Sequence, residues 1–178
     1  MTTSDTATAD RPVPAGGSLG SLAPPPARRD LLALSAVLSV VTLGIGGWLT
    51  SLGFGPWYDE LVKPPFQPPG WVFSPVWTAI FALLTVATWQ VARRGGAARG
   101  ALRLYAVQLV LNVGWSLLFF TLHMPGWALA EILVLDVLVL AMVVAYGRVH
   151  GPAGWMLVPY AVWLGLATTI NAWIVLEN

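Results

Sequence analysis

The chain has 178 residues, of which 57% are hydrophobic and 10% charged, with ten Trp, fourteen Pro, eighteen Gly and no Cys. A soluble domain carries about 25% charged residues, so water does not solvate a surface built from this composition and lipid is the expected solvent. Nine Lys and Arg against eight Asp and Glu leave a net charge of +1, which gives no general attraction for nucleic acid. The absence of Cys removes disulfides, thiolate metal sites and a Cys nucleophile.

Residues 1–29 are rich in Thr, Ala, Gly, Ser and Pro, Pro24-Pro25-Pro26 among them. With few large apolar side chains to offset the entropy of ordering, they read as a disordered tail, and residues 30–178 as the membrane domain. The apolar run 31–49 is followed by no small-residue cleavage site, so it reads as a first membrane helix rather than a signal peptide. Four more spans follow at 75–92, 101–122, 127–146 and 155–176, each near the about 20 residues that cross the hydrocarbon core. Ser74-Pro75 predicts an N-cap with Pro at the first helical position, and Gly95-Gly96, Pro125-Gly126 and Gly151-Pro152 break the runs. The expected fold is an all-α membrane protein, a bundle of five transmembrane helices with a long Pro- and aromatic-rich loop, 50–73, between helices one and two. A loop of that length is usually functional.

Arg11, Arg28, Arg29, Arg93, Arg94, Arg99, Arg103 and Arg148 fall on the side of the N-terminus, and Lys63 lies opposite. This bias predicts a cytoplasmic N-terminus and an outer C-terminus. An odd number of spans without an internal repeat argues against the two-halved transporter design.

Gln108 and Asn112 lie four residues apart in the third span, with Tyr105, Trp115 and Phe119 within about 60° of the same direction. Amides at that depth serve either as helix-packing glue or as orienting groups for an apolar ligand. The second span aligns Trp77, Phe81, Leu84 and Thr88, and the fifth aligns Trp163, Ala167, Ile170 and Asn171, with small residues Ala161, Gly165, Thr168 and Ala172 behind. Three helices thus offer Trp beside a polar or small residue, and a rigid aromatic loop above them carries Trp57, Tyr58, Lys63, Phe66 and Trp71. In the fourth span Glu131 and Asp136 point about 140° apart and form no catalytic pair. Glu131 is expected to meet the helix dipole and Asp136 to hydrogen-bond a neighbouring helix, a proton relay being the alternative. His123 and His150 lie on opposite sides and share no metal, and phosphate-loop, triad and metal-ligand spacings are missing from the sequence.

Taken together, Tyr58, Lys63-Pro64-Pro65, Pro68-Pro69, Trp71, Ser74-Pro75 and Trp77, then Gln108, Asn112, Trp115 and Phe119-Phe120, then Pro159-Tyr160, Trp163, Ala167 and Asn171 resemble the TspO/MBR family of translocator proteins and bacterial tryptophan-rich sensory proteins. The resemblance begins near Gly44 and runs to Asn178. It implies a five-helix bundle, commonly a homodimer, that binds porphyrin or heme, and benzodiazepine-type or isoquinoline ligands, in a pocket below the first loop. By motif position it assigns Tyr58, Trp77, Phe81, Gln108, Asn112, Trp163 and Ala167 to that pocket. Trp115, Phe119 and Asn171 join them from the helix stripes. Trp77 and Trp163 match tryptophans implicated in light-dependent porphyrin degradation. Phe66 stands where the family usually has Trp, Phe81 where many members have Tyr, and Leu84-Thr85 replaces a common Met-Gly. The C-terminal stretch lacks the Tyr and Arg of the animal cholesterol motif, which speaks against cholesterol binding.

The expected function is therefore an integral membrane tetrapyrrole-binding protein acting as sensor, carrier or regulator, with no required cofactor and porphyrin or heme as ligand. His123 is a weak axial candidate for heme and no other metal site is expected. The alternatives are a light-dependent porphyrin-degrading enzyme using Trp77 and Trp163, and a transporter with Asp136 as its proton-linked group.

Overall fold

The computed structural model describes residues 28–178, so the expected N-terminal tail lies outside the described residues except for Arg28 and Arg29. The described residues are helical, and five stretches are long and apolar enough to cross a membrane. The first is α1, Arg29–Gly53. A short α2, Pro56–Glu60, sits in the following loop. The second span is α3, Gly70–Ala92. A 3₁₀ turn, Gly95–Ala98, leads into α4, Arg99–Ser116, which continues as a π-helical turn over Leu117–Thr121. The fourth span is α5, Pro125–Val149. A break at extended His150 separates it from α6, Gly151–Met156, which runs almost without interruption into α7, Val158–Glu177.

The solvent the helices expect is visible in α1. Its buried positions, Ser35, Ser39, Thr42, Gly46, Leu49 and Gly53, recur at alternating steps of four and three, the spacing of one helix face. That face is small and mostly polar, whereas Leu34, Val37, Val40, Val41, Ile45 and Trp48 point outward. Such reversed amphipathicity is stable only where the surroundings are apolar, because small residues let helices approach and hydroxyls bond across the contact. Ser39 and Thr85 hydroxyls meet at 2.8 Å, the Ser35 hydroxyl donates to the Thr85 carbonyl at 3.4 Å, and the Tyr105 hydroxyl donates to the Ser35 carbonyl at 3.3 Å. These bonds tie α1, α3 and α4 together at the arginine-rich end.

At the opposite end α1 leans away from α3. Gly46 faces Ser116, the Thr121 hydroxyl donates to the Leu49 carbonyl at 3.3 Å, and Gly53 lies so close to Phe120 that a Cβ there would overlap the Phe120 carbonyl oxygen. The π turn shifts the helix register by one residue at Leu117–Thr121, where Phe119 and Phe120 are both buried.

Two boundaries differ from the sequence expectation. Helix α3 begins at Gly70 rather than at Pro75, with Pro75 inside it. Pro removes one backbone donor there, and the Thr78 hydroxyl bonds the Ser74 carbonyl at 2.8 Å instead of Ser74 acting as a cap. The long loop is correspondingly shorter, spans 54–69 and contains α2. Gly95, at φ 64°, makes the turn between α3 and α4 in a conformation that disfavours a side chain.

Candidate functional site

A cavity of about 760 Å³ lies where α1 and α3 diverge, under the α1–α3 loop, and reaches side chains of all five spans. Its volume falls within the about 300–1,000 Å³ range of small-molecule pockets. Aromatic walls come from Phe54 and Tyr58 of the loop region, Phe73 and Trp77 of α3, Trp115 and Phe120 of the α4 segment and Trp163 of α7; among the described residues no charged side chain joins the lining. Val40, Gly44 and Gly47 of α1 and Ser74 and Thr78 of α3 line the cavity while also being exposed. It therefore opens sideways between α1 and α3, into the zone that lipid occupies.

The floor is a polar knot. The Tyr160 hydroxyl, from the first turn of α7, accepts from Gln108 Nε2 at 2.9 Å and from Asn112 Nδ2 at 3.2 Å. Trp77 packs edge-on against the Tyr160 ring at 6.0 Å. Gln108 is fully buried and does not line the cavity; its amide positions Tyr160. Phe81, 1% exposed, is also behind the wall, packed on Trp77 at 6.0 Å. Asn112 does reach the cavity. Trp115 Nε1 donates to Asn171 Oδ1 at 3.1 Å, and Asn171 Nδ2 donates to the Pro125 carbonyl at 3.0 Å, which locks α4, α5 and α7 together at the loop end. Asn171 and Phe119 do not line the main cavity; with Trp115 and Ala167, which do, they line a side chamber of about 40 Å³. Of the predicted residues, Tyr58, Trp77, Asn112, Trp115, Trp163 and Ala167 converge on the main cavity.

The loop forms the roof. Gln67 Nε2 donates to the Tyr58 hydroxyl at 3.1 Å, and the Tyr58 ring meets Phe54 edge-on at 5.3 Å. Burial pushes the Tyr58 phenol above its ordinary value, the Gln67 hydrogen bond partly opposing the shift. Lys63 lies 4.6 Å from the Tyr58 ring centroid and donates to the carbonyls of Asp59 and Leu61 at 3.3 and 3.2 Å, so its charge is engaged by the loop itself. Trp57 does not enter the cavity; it stacks on His123 at 4.0 Å and meets Phe119 edge-on at 5.9 Å. Phe66 packs against Trp173 at 5.9 Å, and Trp71, 77% exposed, points outward. Among the expected lid residues, then, Trp57 and Phe66 anchor the loop and Trp71 covers nothing. Asn178 clasps the loop backbone, its Oδ1 accepting from the Val62 N–H at 2.9 Å.

Asp136 accepts from the Thr168 hydroxyl at 2.8 Å, as a bond to a neighbouring helix requires, and lies outside the cavity lining. Glu131 sits nearly two turns into α5, beyond the first turn in which the dipole acts. Both its oxygens are enclosed without a partner, beside Gly114. The described residues contain no group of three His, Asp or Glu able to hold a metal.

Sequence reasoning passed over Tyr160, Gln67, Phe73 and Phe120 as individual site residues. Tyr160 carried a signal, a lone phenol opposite two amides in an apolar segment. The position of Gln67 between two Pro pairs carried another. Phe120 did not, because the π turn that brings it inward leaves no mark on a 3.6-residue repeat.

The model of the TspO/MBR family matches residues 33–176. The chain belongs to that family. It is 37% identical over 125 residues to the tryptophan-rich protein TspO of Chlorobaculum tepidum, covering 68% of this chain and 79% of that one. The translocator protein of Bos taurus is 36% identical over 119 residues, 65% of this chain and 70% of the relative. The tryptophan-rich sensory protein of Cereibacter sphaeroides is 38% identical over 115 residues, 65% and 72% respectively. As a TspO/MBR member with five membrane-length helices, the chain is an integral, multi-pass membrane protein.

Proposed function

We propose that this TspO/MBR protein binds a flat, mostly apolar tetrapyrrole in the cavity under the α1–α3 loop and acts as its sensor or carrier. The observation that carries the reading is the cavity itself, about 760 Å³, walled by three indoles, a phenol and several phenyl rings, without charge, and open toward lipid. Aromatic faces suit a conjugated macrocycle by offset or edge contact, and a lateral opening suits a ligand that partitions into the bilayer. The amide of Asn112 gives such a ligand one fixed polar contact at the floor. Heme ligation by His123 finds no support, since that ring is stacked on Trp57 outside the cavity.

Titration of detergent-purified protein with protoporphyrin IX in darkness tests the reading. Saturable quenching of Trp fluorescence with a shifted Soret band is expected, and non-saturable quenching equal to that of heat-denatured protein would overturn it. A second reading, light-dependent degradation, draws on the fact that Trp77 and Trp163 share this cavity. Illumination of the titrated sample decides it. Protein-dependent loss of the Soret band that disappears in Trp77→Phe or Trp163→Phe would support an enzyme, and bleaching equal to the denatured control would remove it.

A further inference from the structure

We propose that the cavity selects tetrapyrroles whose carboxylates share one edge of the ring, because that edge lies in a slot between α1 and α3 bounded by Gly47 and Ser74. The inference deepens the reading of the cavity as a tetrapyrrole site and rests on it. A tetrapyrrole dicarboxylate is apolar over its faces and charged at its rim, and the two parts need different surroundings. Among the described residues no charged side chain lines the cavity, and Lys63 of the roof stays outside the lining, donating to the Asp59 and Leu61 carbonyls. A carboxylate enclosed there without a cation is strongly disfavoured, so both carboxylates belong where the lining is open to the outside.

Exposure shows where that is. The lining residues of the α4 segment, α5 and α7 are all buried or half-buried, and the exposed ones lie on α1, at Phe54 just beyond it, and on α3. Gly44 and Gly47 form one edge of this slot, and Ser74 and Thr78, one helical turn apart, form the other. A Cβ on either glycine would meet nothing within 4 Å, so no neighbouring side chain closes the slot there. The Thr78 hydroxyl donates to the Ser74 carbonyl at 2.8 Å and its hydrogen is thereby spent. The Ser74 hydroxyl bonds no other described residue and is free to donate to a carboxylate.

Depth suits a charge at this level. Ser74 is the fifth residue of α3, about 6 Å along the axis from its loop end at 1.5 Å per residue. The 23 residues of α3 extend about 34 Å, more than the about 30 Å hydrocarbon core and less than the about 40–45 Å of a bilayer with its headgroups. Ser74 therefore lies near the headgroup boundary, where a carboxylate keeps its water while the apolar body it belongs to stays inside. The uncharged edge of the ring then faces Trp77 and Trp163. A ring with carboxylates on opposite edges cannot place both in one slot.

The test compares mesoporphyrin IX, whose two propionates share an edge, with its positional isomer carrying them on opposite pyrroles, by quenching of Trp fluorescence in darkness. Composition, charge and size are the same. Wild-type protein is expected to prefer mesoporphyrin IX by at least about tenfold. Ser74→Asp is expected to weaken mesoporphyrin IX by about tenfold and to leave its uncharged dimethyl ester within about twofold of wild type, which also reports a folded site. Ser51→Asp, an exposed position of α1 outside the lining, should change neither. Equal affinities of the two isomers in wild type, a comparison that needs no variant, or equal effects of Ser74→Asp on diacid and diester would overturn the slot while leaving the cavity a binding site. Failure of mesoporphyrin IX, its isomer and its diester to bind saturably would overturn the underlying reading and this inference with it.

Discussion

At the scale of single residues, the Tyr160 hydroxyl holds two amides of α4, buried Gln108 and half-buried Asn112. Tyr160→Phe leaves both without that acceptor, and a buried polar group deprived of its partner costs about 1–3 kcal/mol. A lowered melting temperature in detergent, with weakened porphyrin binding as Asn112 loses its fixed position, is the expected result; unchanged melting would show the knot to be dispensable. Gly53 makes a second residue-scale case. A methyl there must displace Phe120 backbone, and overpacking of this kind costs about 1–3 kcal/mol, so Gly53→Ala should melt earlier than wild type whereas Gly44→Ala, which meets open space, should not. Tyr58 adds a pH dependence. Its phenol is raised above the ordinary value of 10 by burial, so the folded state favours the neutral form. The stability this contributes is whole below pH 10 and is lost as pH rises beyond it, because the unfolded chain ionises first. In spectrophotometric titration the difference between wild type and Tyr58→Phe should be one phenol ionising above pH 10, and a difference falling at or below pH 10 would contradict its burial.

Among elements, the decisive relation is the divergence of α1 from α3. Hydroxyl bonds close the pair at the arginine-rich end, while α1 packs on the α4 segment at the loop end and leaves the gap that becomes the cavity. Part of this was legible beforehand. The five spans follow from hydrophobic length, and Asn112, Trp115, Trp77, Trp163 and Ala167 follow from stripes on three separate helices. What periodicity does not contain is which stripe faces the cavity and which the core, so Gln108 and Phe81, on the correct faces, ended behind the wall. The small polar face of α1 was readable from its alternating spacing but looks like an ordinary apolar span when only hydropathy is counted. Boundary signals misled at Ser74-Pro75, because Pro75 sits inside α3, five residues after its start, at the cost of one backbone donor. The roof is the element whose conformation no local rule fixes. Its anchors, Trp57 on His123, Phe66 on Trp173 and Asn178 on Val62, all join residues distant in sequence. Asn178→Ala removes one of them, and stopped-flow measurement should show porphyrin leaving about 3–10-fold faster at little change in melting temperature, the scale of one lost hydrogen bond.

For the whole molecule, charge is divided between the two ends. Arg28, Arg29, Arg93, Arg94, Arg99, Arg103 and Arg148 mark one end and Lys63 the other, and from the positive-inside rule we propose that the arginine end is cytoplasmic. Because the chain has no Cys, single substitutions report orientation cleanly: Val62→Cys should react with an impermeant maleimide in intact cells and Arg99→Cys only after lysis. The space between the diverging helices is the proposed tetrapyrrole site. The most direct measurement is protoporphyrin IX titration of Ala167→Phe, which fills the cavity wall, beside Val162→Phe, which adds the same ring to the lipid-facing side of α7. Wild-type affinity in Val162→Phe with at least about a tenfold loss in Ala167→Phe is expected, since a packed site does not yield to an inserted ring; equal affinity in both variants would place the porphyrin outside this cavity.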